Sequence, residues 1–207
     1  GMTLFEPWTV RPGGGDVYRV YSPFWRAVRD RDVGTPLAAP REISVPDDWP
    51  RSDALEDWQL GVAMRRGADV VAGHAAPGET AAQARLDRFV RERIGEYKRD
   101  RDRLDLDATS SLSENLAYGE ISPRRLWQAG TLALEAGAAG AEHFLKEVVW
   151  REFAWHLLYH TPHIAQRNWR KEWDRFPWGS DSAVARAWQR GQTGEDMIDA
   201  AMRELYV

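Results

Sequence analysis

From Pro77 onward, apolar residues recur along the chain at steps of three and four residues. This spacing places apolar side chains on one face of a helix and predicts a first amphipathic helix of about 25 residues. No segment alternates convincingly with a period of two, so the sequence predicts a mainly α protein without a sheet. The apolar residues of the first helix are Ala82, Leu86, Phe89, Val90, Ile94 and Tyr97.

Further helices are predicted from the residues at their ends. Ser122 followed by Pro123 is typical of a helix start, and Gly137 is typical of the position after a helix end. A helix over 144–160 is expected to end before Pro162, because the residue that precedes a proline avoids helical backbone angles.

Two shorter helices are predicted over 181–189 and from 197 through 205. Thr193, three residues before Asp196, is the expected cap of the last helix. No capping residue follows this helix before Val207, so we expect the natural helical domain to continue beyond it.

Residues 1–76 contain many prolines and the run Gly13-Gly14-Gly15, which interrupt any long periodic pattern. They predict an irregular arm with local helical turns, in which 18–21 is a short strand and 23–28 a short helix start. Because the arm is apolar and broken, we expect its packing partner to lie outside the chain. The predicted organisation is an arm or interdomain linker over 1–76 and a truncated helical domain over 77–207.

The composition excludes several kinds of site. The chain has no cysteine, which excludes disulfides, thiolate metal sites and cysteine nucleophiles. His156 and His160 have the spacing of a zinc-binding pair, but other ligands are not evident, so no metal is predicted. The net charge of −4 argues against a protein that coats nucleic acid and leaves room for a local basic patch. No apolar run approaches the ~18–20 residues that span a bilayer, so we expect a cytoplasmic protein without membrane association.

The first candidate site is the segment Thr109-Ser110-Ser111-Leu112-Ser113, which lies between two predicted helices. Hydroxyl groups and free backbone amides at a helix entrance form a natural cradle for a phosphate. The alternative is an ordinary capping loop, since serine and threonine are favoured at helix starts in any case.

The second candidate site is a stripe on the helix predicted over 144–160. Glu147, Trp150 and Arg151 are spaced at i, i+3 and i+4 and therefore share one face. A carboxylate, an aromatic ring and a guanidinium in this order can hydrogen-bond a base edge, stack on a base and pair with a phosphate. The alternative is a Glu147–Arg151 ion pair on the helix surface beside a core tryptophan.

The third candidate is the run over 91–103, which holds six basic and four acidic residues. Such a run is usually a solvated face. As a partial basic edge it would contact a few phosphates and position DNA without reading its sequence.

Taken in order, these patterns resemble the DNA photolyase and cryptochrome family. The segment from Tyr18 to Trp25 also resembles the arm that follows the family's first domain. The matching strings are Gly95-Glu96-Tyr97-Lys98 with Arg101-Asp102, Thr109-Ser110-Ser111-Leu112-Ser113, Gly119-Glu120-Ile121-Ser122-Pro123-Arg124, Glu147 through Trp150-Arg151-Glu152-Phe153, Ala187-Trp188 with Gly191 and Thr193-Gly194, and Asp199-Ala200-Ala201-Met202-Arg203-Glu204-Leu205.

The resemblance implies a helical bundle like the N-terminal half of the family's FAD-binding domain. It implies that Tyr97 and the Thr109–Ser113 segment contact the phosphate and ribose region of FAD. Phe144 stands where the family often has a tryptophan near the flavin, and it would keep an aromatic wall there.

The resemblance also implies roles in recognising and repairing damaged DNA. Glu147 and Trp150 would meet a flipped-out pyrimidine dimer, by hydrogen bonds and by stacking respectively. Arg101 and Arg151 would steady the DNA strand, and Trp178 would be the surface end of the family's tryptophan relay. The hydroxyl-rich segment and the helical stripe are expected to line opposite walls of one cavity.

The function implied is that of a fragment of a light-driven, FAD-dependent repair lyase that splits cyclobutane pyrimidine dimers in UV-damaged DNA. The family's antenna domain and the second half of its flavin domain are not in this sequence, so we expect weak or no FAD binding and no activity alone. The alternatives are a cryptochrome-like flavin photoreceptor and a flavin-free helical binding or scaffold module. Apolar surface left exposed on an incomplete helix pack predicts a homo-oligomer.

Overall fold

The protein's structure, a computed structural model, describes residues 2–179 and 182–206. Within that range it is helical and contains no strand, which confirms the prediction of a mainly α fold. None of the helices so described is long and apolar enough to cross a membrane. The α-helices are α1 (Tyr21–Val28), α2 (Arg66–His74), α3 (Glu79–Glu92), α4 (Tyr97–Asp100), α5 (Ser113–Ala117), α6 (Pro123–Glu135), α7 (Ala141–His160), α8 (Ala183–Gln189) and α9 (Asp196–Tyr206). Short 3-10 turns lie at Pro7–Thr9, Leu55–Trp58, Val62–Met64, Pro162–Ala165 and Lys171–Arg175.

The chain forms two compact units, and each is made of two separate stretches. The first unit comprises residues 1–43 and 76–169, and the second comprises residues 44–75 and 170–207. The cluster of buried apolar side chains belongs to the first unit. The predicted limit at residue 76 divides the chain in sequence order, whereas these units are discontinuous, so the predicted domain limits stay a prediction.

The predicted first helix is in fact two helices separated by a turn. The backbone N–H groups of Arg93 and Ile94 both donate to the Phe89 carbonyl, at 2.9 and 3.0 Å. This shared acceptor ends α3, and α4 begins at Tyr97. The turn keeps Ile94 and Tyr97 in the buried cluster with Phe89. The apolar spacing therefore identified the core face, although the prediction of one continuous helix was wrong.

The start of α7 lies against this turn. A Cβ added to Gly140 would collide with the Ile94 carbonyl oxygen and would lie 2.8 Å from the Tyr97 backbone nitrogen. Only a glycine allows so close an approach. α7 begins at Ala141, slightly earlier than predicted, and ends at His160 as predicted.

α6 begins and ends at the predicted signals and packs closely on α7. Ser122 caps it, since its Oγ accepts a hydrogen bond from the Arg125 backbone N–H at 3.2 Å. Gly137 follows its end with a φ of +87°, a conformation that favours glycine. A Cβ added to Gly130 would lie 2.7 Å from the Leu145 side chain, so the two helices meet closely at this glycine.

The first part of the predicted arm packs on α7, inside this chain. The Glu152 carboxylate accepts hydrogen bonds from the backbone N–H groups of Leu4 at 2.7 Å and Phe5 at 3.4 Å. The expectation of a partner outside the chain is therefore wrong for this stretch. Its partner is the buried Glu152 of α7, a residue type that is usually found at the surface. The expected strand over 18–21 is also wrong, because Tyr21 begins α1. The arm residues in the cluster of buried apolar side chains are Leu4, Phe5, Val10, Phe24 and Val28.

In the second unit, α8 begins at Ala183 and is capped by Ser182, whose Oγ accepts a hydrogen bond from the Ala185 backbone N–H at 3.1 Å. Asp181, where this helix was predicted to start, lies outside the described residues. α9 begins at Asp196, one residue before its predicted start.

Asp199 organises the turn that precedes α9. Its carboxylate accepts hydrogen bonds from the Thr193 backbone N–H at 2.8 Å, the Thr193 hydroxyl at 2.7 Å and the Gly194 backbone N–H at 3.0 Å. The backbone N–H of Thr193 is the main cause of the lowered pKa of Asp199. Thr193, expected to cap the helix beside Asp196, is therefore bound by a carboxylate of the helix's first turn.

Candidate functional site

The Thr109–Ser113 segment does not cap the helix that follows it. α5 begins at Ser113, and its N-cap is the buried Leu112, which makes no side-chain capping bond. The hydroxyl oxygens of Thr109 and Ser111 lie 3.4 Å apart, and both residues are exposed. The capping-loop alternative is therefore not supported, and these hydroxyls are not used to start a helix.

Arg85 of α3 fixes the shape of this segment. Its guanidinium donates to the Ser111 carbonyl at 2.6 Å. The same nitrogen also reaches the Glu114 carboxylate at 2.6 Å and the Asn115 side-chain oxygen at 3.0 Å. Ser111 has a φ of +50°, a left-handed conformation that is uncommon for residues other than glycine. The bond from Arg85 stabilises this unusual conformation.

A small hollow beside the segment is rich in arginine. Arg93 forms an ion pair with Asp107 at 2.7 Å. Arg88 has no ion-pair partner among the residues that the structure describes. The hollow therefore combines excess positive charge with hydroxyl groups, which suits a phosphate lying across its mouth. Its lining residues are Arg85, Arg88, Phe89, Arg93, Asp107, Thr109, Ser110 and Ser111.

Tyr97 and Phe144, two of the predicted flavin contacts, are buried in a cluster of rings with Phe89. The ring centroids are 5.4 Å apart for Phe89 and Tyr97, and 4.9 Å apart for Phe89 and Phe144. Burial is the main cause of the raised pKa of the Tyr97 hydroxyl. Since Phe89 also lines the hollow, this cluster connects the hydroxyl-rich segment to α7.

Glu147 lies in a charged cluster between α4 and α7. Its carboxylate pairs with Arg101, whose guanidinium also lies 5.6 Å from the centroid of the Tyr97 ring. His143, one turn earlier on α7, approaches it to 3.9 Å. The Glu147 side chain is 29% exposed, so it is held in place but remains accessible. Arg101 is thus its ion-pair partner, in place of the Arg151 considered from the helical spacing.

Trp150 is a half-exposed ring with one face covered. The Tyr21 ring of α1 stacks on it, with centroids 3.7 Å apart and planes inclined by 7°. The Phe153 ring meets it edge-on, with centroids 5.9 Å apart. Because 45% of Trp150 remains exposed, the interpretation as a core tryptophan is not supported. The exposed part of the indole is the part that Tyr21 and Phe153 do not cover.

Arg151 is engaged with the arm. Its guanidinium donates to the Met2 carbonyl at 2.7 Å and to the Glu152 carboxylate at 3.0 Å. The spacing that grouped Arg151 with Glu147 and Trp150 is correct, but its contacts differ from theirs. Its predicted contact with DNA stays a prediction.

The hollow beside the hydroxyl-rich segment does not reach the helical stripe. The hollow beside Thr109–Ser111 includes neither Glu147 nor Trp150. The larger hollow of about 430 Å³ lies elsewhere, beside the start of α6. Neither of these two hollows joins the segment to the stripe, so the expectation that they line opposite walls of one cavity stays a prediction.

Known proteins resemble the chain along its whole length. Residues 144–207 match the family described as the FAD binding domain of DNA photolyase. The chain is 39% identical to a deoxyribodipyrimidine photo-lyase of Agrobacterium fabrum over 100% of its length and 37% identical to one of Thermus thermophilus over 98%. It also aligns with the crystal structure of a bacterial class III photolyase from Agrobacterium tumefaciens, with a TM-score of 0.92 and 39% identity over 100% of the chain.

The chain belongs to the photolyase family. It spans 43% and 44% of the two curated photolyases and 43% of the solved structure, so it corresponds to part of those proteins. FAD is the cofactor named for the matching family. The predicted family resemblance and fold are thereby confirmed, while the roles of single residues stay predictions.

Trp178, the predicted end of the photolyase relay, lies in the second unit. It is exposed, and its indole N–H donates to the Trp173 carbonyl at 2.8 Å. Its ring centroid lies 4.7 Å from that of Phe176. Trp178 therefore contacts Trp173 and Phe176 within its own unit.

Three neighbours of the candidate photolyase site did not emerge from the sequence: Tyr21, Arg85 and Arg88. Tyr21 was included in a predicted strand. Arg85 and Arg88 fall on the polar face of the first helix, where arginine is common. Their spacing of three residues, which puts them on one face, was the available signal.

The His156 and His160 rings pack edge-on, with centroids 4.6 Å apart, and each makes further contacts of its own. No group of three or more potential metal ligands occurs in the described part of the chain. A ring nitrogen of His160 lies 3.3 Å from the Pro7 carbonyl oxygen. His156 is 1% exposed, and its ring nitrogens have no hydrogen-bond partner among the described residues. Burial, and then the charge of His160, lower the pKa of His156.

Proposed function

We propose that this chain forms the first part of the helical domain of a light-driven, FAD-dependent DNA repair lyase that splits cyclobutane pyrimidine dimers. The observation that carries the proposal is the 39% identity over the whole chain to a deoxyribodipyrimidine photo-lyase. In this proposal the Thr109–Ser113 segment binds the phosphates of FAD, and Glu147 and Trp150 receive the damaged bases.

The residues around the segment fit the phosphate side of FAD. Arg88 offers a guanidinium without an ion-pair partner among the described residues, next to the hydroxyls of Thr109 and Ser111. Guanidinium and hydroxyl donors both bind phosphate oxygens. When bound, FAD would supply the light-driven electron transfer that opens the dimer, and this chain would orient it.

Glu147 and Trp150 fit a base that has been turned out of DNA. A carboxylate accepts hydrogen bonds from a pyrimidine edge, and an indole face stacks on a base. A cross-linked dimer stacks poorly in the duplex, so turning it out costs less than turning out an intact base. Arg101, which holds Glu147, is proposed to steady the DNA strand, and Arg151 would do so only after leaving the arm.

We further propose that this chain alone binds FAD weakly and does not repair DNA. Leu112, expected at the phosphate and ribose region of FAD, and Phe144, expected near the flavin, are both buried, so neither side chain is open to a cofactor. Trp178 is proposed as the exposed end of the family's tryptophan relay. We also propose that the protein is cytoplasmic and that UV-damaged DNA is its substrate. Self-association through exposed apolar residues is proposed as well. Light scattering tests it, and a clean monomer would contradict it.

The cofactor part is tested by titrating the purified chain with FAD and with riboflavin, which has no phosphate. Arg88→Gln removes one charged donor, so we expect FAD affinity to fall about tenfold and riboflavin affinity to be unchanged. Arg91→Gln, three residues along α3, is the matched control, because Arg91 is paired with Glu92. Equal losses in both variants would refute a phosphate site at the hollow.

The repair part is tested with an oligonucleotide that contains one thymine dimer. The chain alone is expected to leave the dimer intact under blue light in the presence of FAD. A preparation that is yellow with stoichiometric FAD and repairs the dimer would overturn the proposal of inactivity. Binding of FAD without any preference for the damaged oligonucleotide would instead favour a flavin photoreceptor.

A further inference from the structure

We infer that Tyr21 is a positioning residue that fixes the plane of the Trp150 ring and thereby presents its free face to a base. This inference rests on the proposed function of Trp150 as a stacking platform. It assigns part of that platform to α1, in the region predicted from the sequence to be a linker.

The stack itself carries the inference. Tyr21 and Trp150 are parallel within 7° at a centroid distance of 3.7 Å, which is the closest ring contact in the described part of the chain. Phe153 closes one edge of the indole at 5.9 Å. A half-exposed tryptophan that is covered on one face and packed on one edge has little freedom to rotate. Its open face therefore has a fixed direction.

Tyr21 is tied to the same helix that carries Trp150. Its hydroxyl donates to the Lys146 carbonyl at 2.7 Å, one turn before Trp150 on α7. The pKa of Tyr21 is raised by burial and then by the charge of Glu147, so the hydroxyl remains a donor at neutral pH. This hydrogen bond ties Tyr21 to α7, while the contact between the two stacked ring faces is what covers Trp150.

α1 anchors the other side of Tyr21. Phe24 and Val28, on later turns of α1, are buried in the core. The Phe24 ring lies 5.2 Å from Phe153, the residue that also packs on Trp150. The arm and α7 therefore share one aromatic cluster, which Tyr21 extends to Trp150.

A fixed indole lowers the ordering cost when a base stacks on it. The effect of Tyr21 on binding must then act through Trp150. Removal of the tyrosine ring should loosen Trp150, whereas removal of its hydroxyl alone should leave the stack in place. This distinction separates a positioning role from a direct contact of the Tyr21 hydroxyl with DNA.

The position of Trp150 is measured first, without any ligand. The 207-residue chain is labelled with 5-fluorotryptophan, and the ¹⁹F signal of Trp150 is assigned by its loss in Trp150→Phe. We expect this signal to move and broaden in Tyr21→Leu and to stay nearly unchanged in Tyr21→Phe. Tyr118→Leu is the control, because Tyr118 is 84% exposed. An unchanged Trp150 signal in Tyr21→Leu would overturn the inference.

Binding is measured second, with the thymine-dimer oligonucleotide and an undamaged copy. Trp150→Ala should weaken binding of the damaged oligonucleotide about tenfold or more, as expected for a lost base stack. Tyr21→Leu should weaken it roughly threefold to tenfold and Tyr21→Phe less than about twofold, since a loosened platform loses part of the stack. If Trp150→Ala has no effect, the proposed function of Trp150 fails. If Trp150→Ala weakens binding and Tyr21→Leu does not, only the role of Tyr21 fails.

Circular dichroism controls for folding. If Tyr21→Leu loses helical signal, Tyr21→Met replaces it, because methionine fills much of the volume without a planar ring. The same two measurements and the same expected results then apply to Tyr21→Met. A Tyr21→Phe variant that disturbs Trp150 as much as Tyr21→Met would contradict a role for the ring stack.

Discussion

Glu147 and Glu152 are both carboxylates of α7, but they have different kinds of partner. Glu147 pairs with the Arg101 side chain and is 29% exposed. Glu152 is 2% exposed and accepts hydrogen bonds from the backbone of Leu4 and Phe5. The first half of α7 therefore carries an accessible charge, and the second half holds the arm.

The comparison shows how a partner decides a role. Backbone donors cannot leave Glu152 unless the arm moves, so this carboxylate serves folding. A side-chain partner at a partly exposed position can be exchanged for a ligand, so Glu147 remains available for binding. In the sequence, the helical positions of these two glutamates give no sign of the difference.

The largest expected effect separates the two glutamates directly. Glu152→Ala leaves two backbone N–H groups and the Arg151 guanidinium without their acceptor, so the free energy of unfolding should fall by about 3 kcal/mol. Glu147→Ala is the matched variant and should lower it by less than about 1 kcal/mol. Urea unfolding of both chains measures the difference. Equal losses would remove the distinction between the two halves of α7.

The second prediction concerns pH and the anchoring half of α7. The folded-state pKa of His156 lies below its unfolded value, so the unfolded chain binds this proton more readily. Its stabilising effect is full above about pH 6.5 and is lost as the pH falls, by at most about 1.4 kcal/mol per pH unit. The urea midpoint of the wild type should therefore be lower below about pH 6.5 than above it. The decrease should be smaller for His156→Phe.

His74→Phe is the control for that experiment, because His74 is exposed and lies on α2. Glu152 titrates in the opposite sense, since burial raises its pKa above the unfolded value. Ionisation of Glu152 therefore lowers stability as the pH rises. For this reason the effect of His156 is read from the difference between His156→Phe and the wild type at each pH. An identical pH dependence in wild type and His156→Phe would exclude His156 as the cause.

The third prediction compares two arginines. Arg151→Gln loses the charged bond to Glu152 and weakens the bond to the Met2 carbonyl, so we expect a loss of about 1 kcal/mol in unfolding free energy. Arg101→Gln should change stability by less than about 0.5 kcal/mol, because its ion pair is partly exposed. In oligonucleotide binding the order should reverse, with the larger loss for Arg101→Gln. A larger binding loss for Arg151→Gln would support its predicted contact with DNA.

The smallest expected effect tests how accessible the Glu147–Arg101 pair is. Raising the ionic strength from about 0.1 M to about 1 M shortens the screening length from about 10 Å to about 3 Å. The stability difference between wild type and Glu147→Ala should then shrink by less than about 0.5 kcal/mol. The difference for Glu152→Ala should not change with salt.

Much of the fold could be predicted from local signals. Ser122 caps α6 and Gly137 follows its end, because capping and the left-handed backbone depend on neighbours in sequence. The break between α3 and α4 could not be predicted in this way. At this break Gly140, the residue before α7, approaches the Ile94 carbonyl so closely that an added Cβ would collide with it, and such a contact joins positions far apart in the sequence.

The candidate site was predicted as a set of residues and not as a set of contacts. Helical spacing placed Glu147, Trp150 and Arg151 on one face, which the course of α7 confirms. It could not show that Arg101 forms the ion pair with Glu147. Nor could it show that Arg151 donates hydrogen bonds to Glu152 and to the Met2 carbonyl. Such pairings join positions far apart in the chain and leave no periodic signal.

The sequence by itself determined the helical class, the core face of the first helices and the family, since periodicity and ordered motifs are properties of the chain. Only the tertiary structure decided that Tyr21 covers Trp150 and that Arg85 shapes the Thr109–Ser113 segment. The physical reason is that a side chain's role depends on which partner removes it from water. That partner is chosen by packing between elements, which local spacing does not encode.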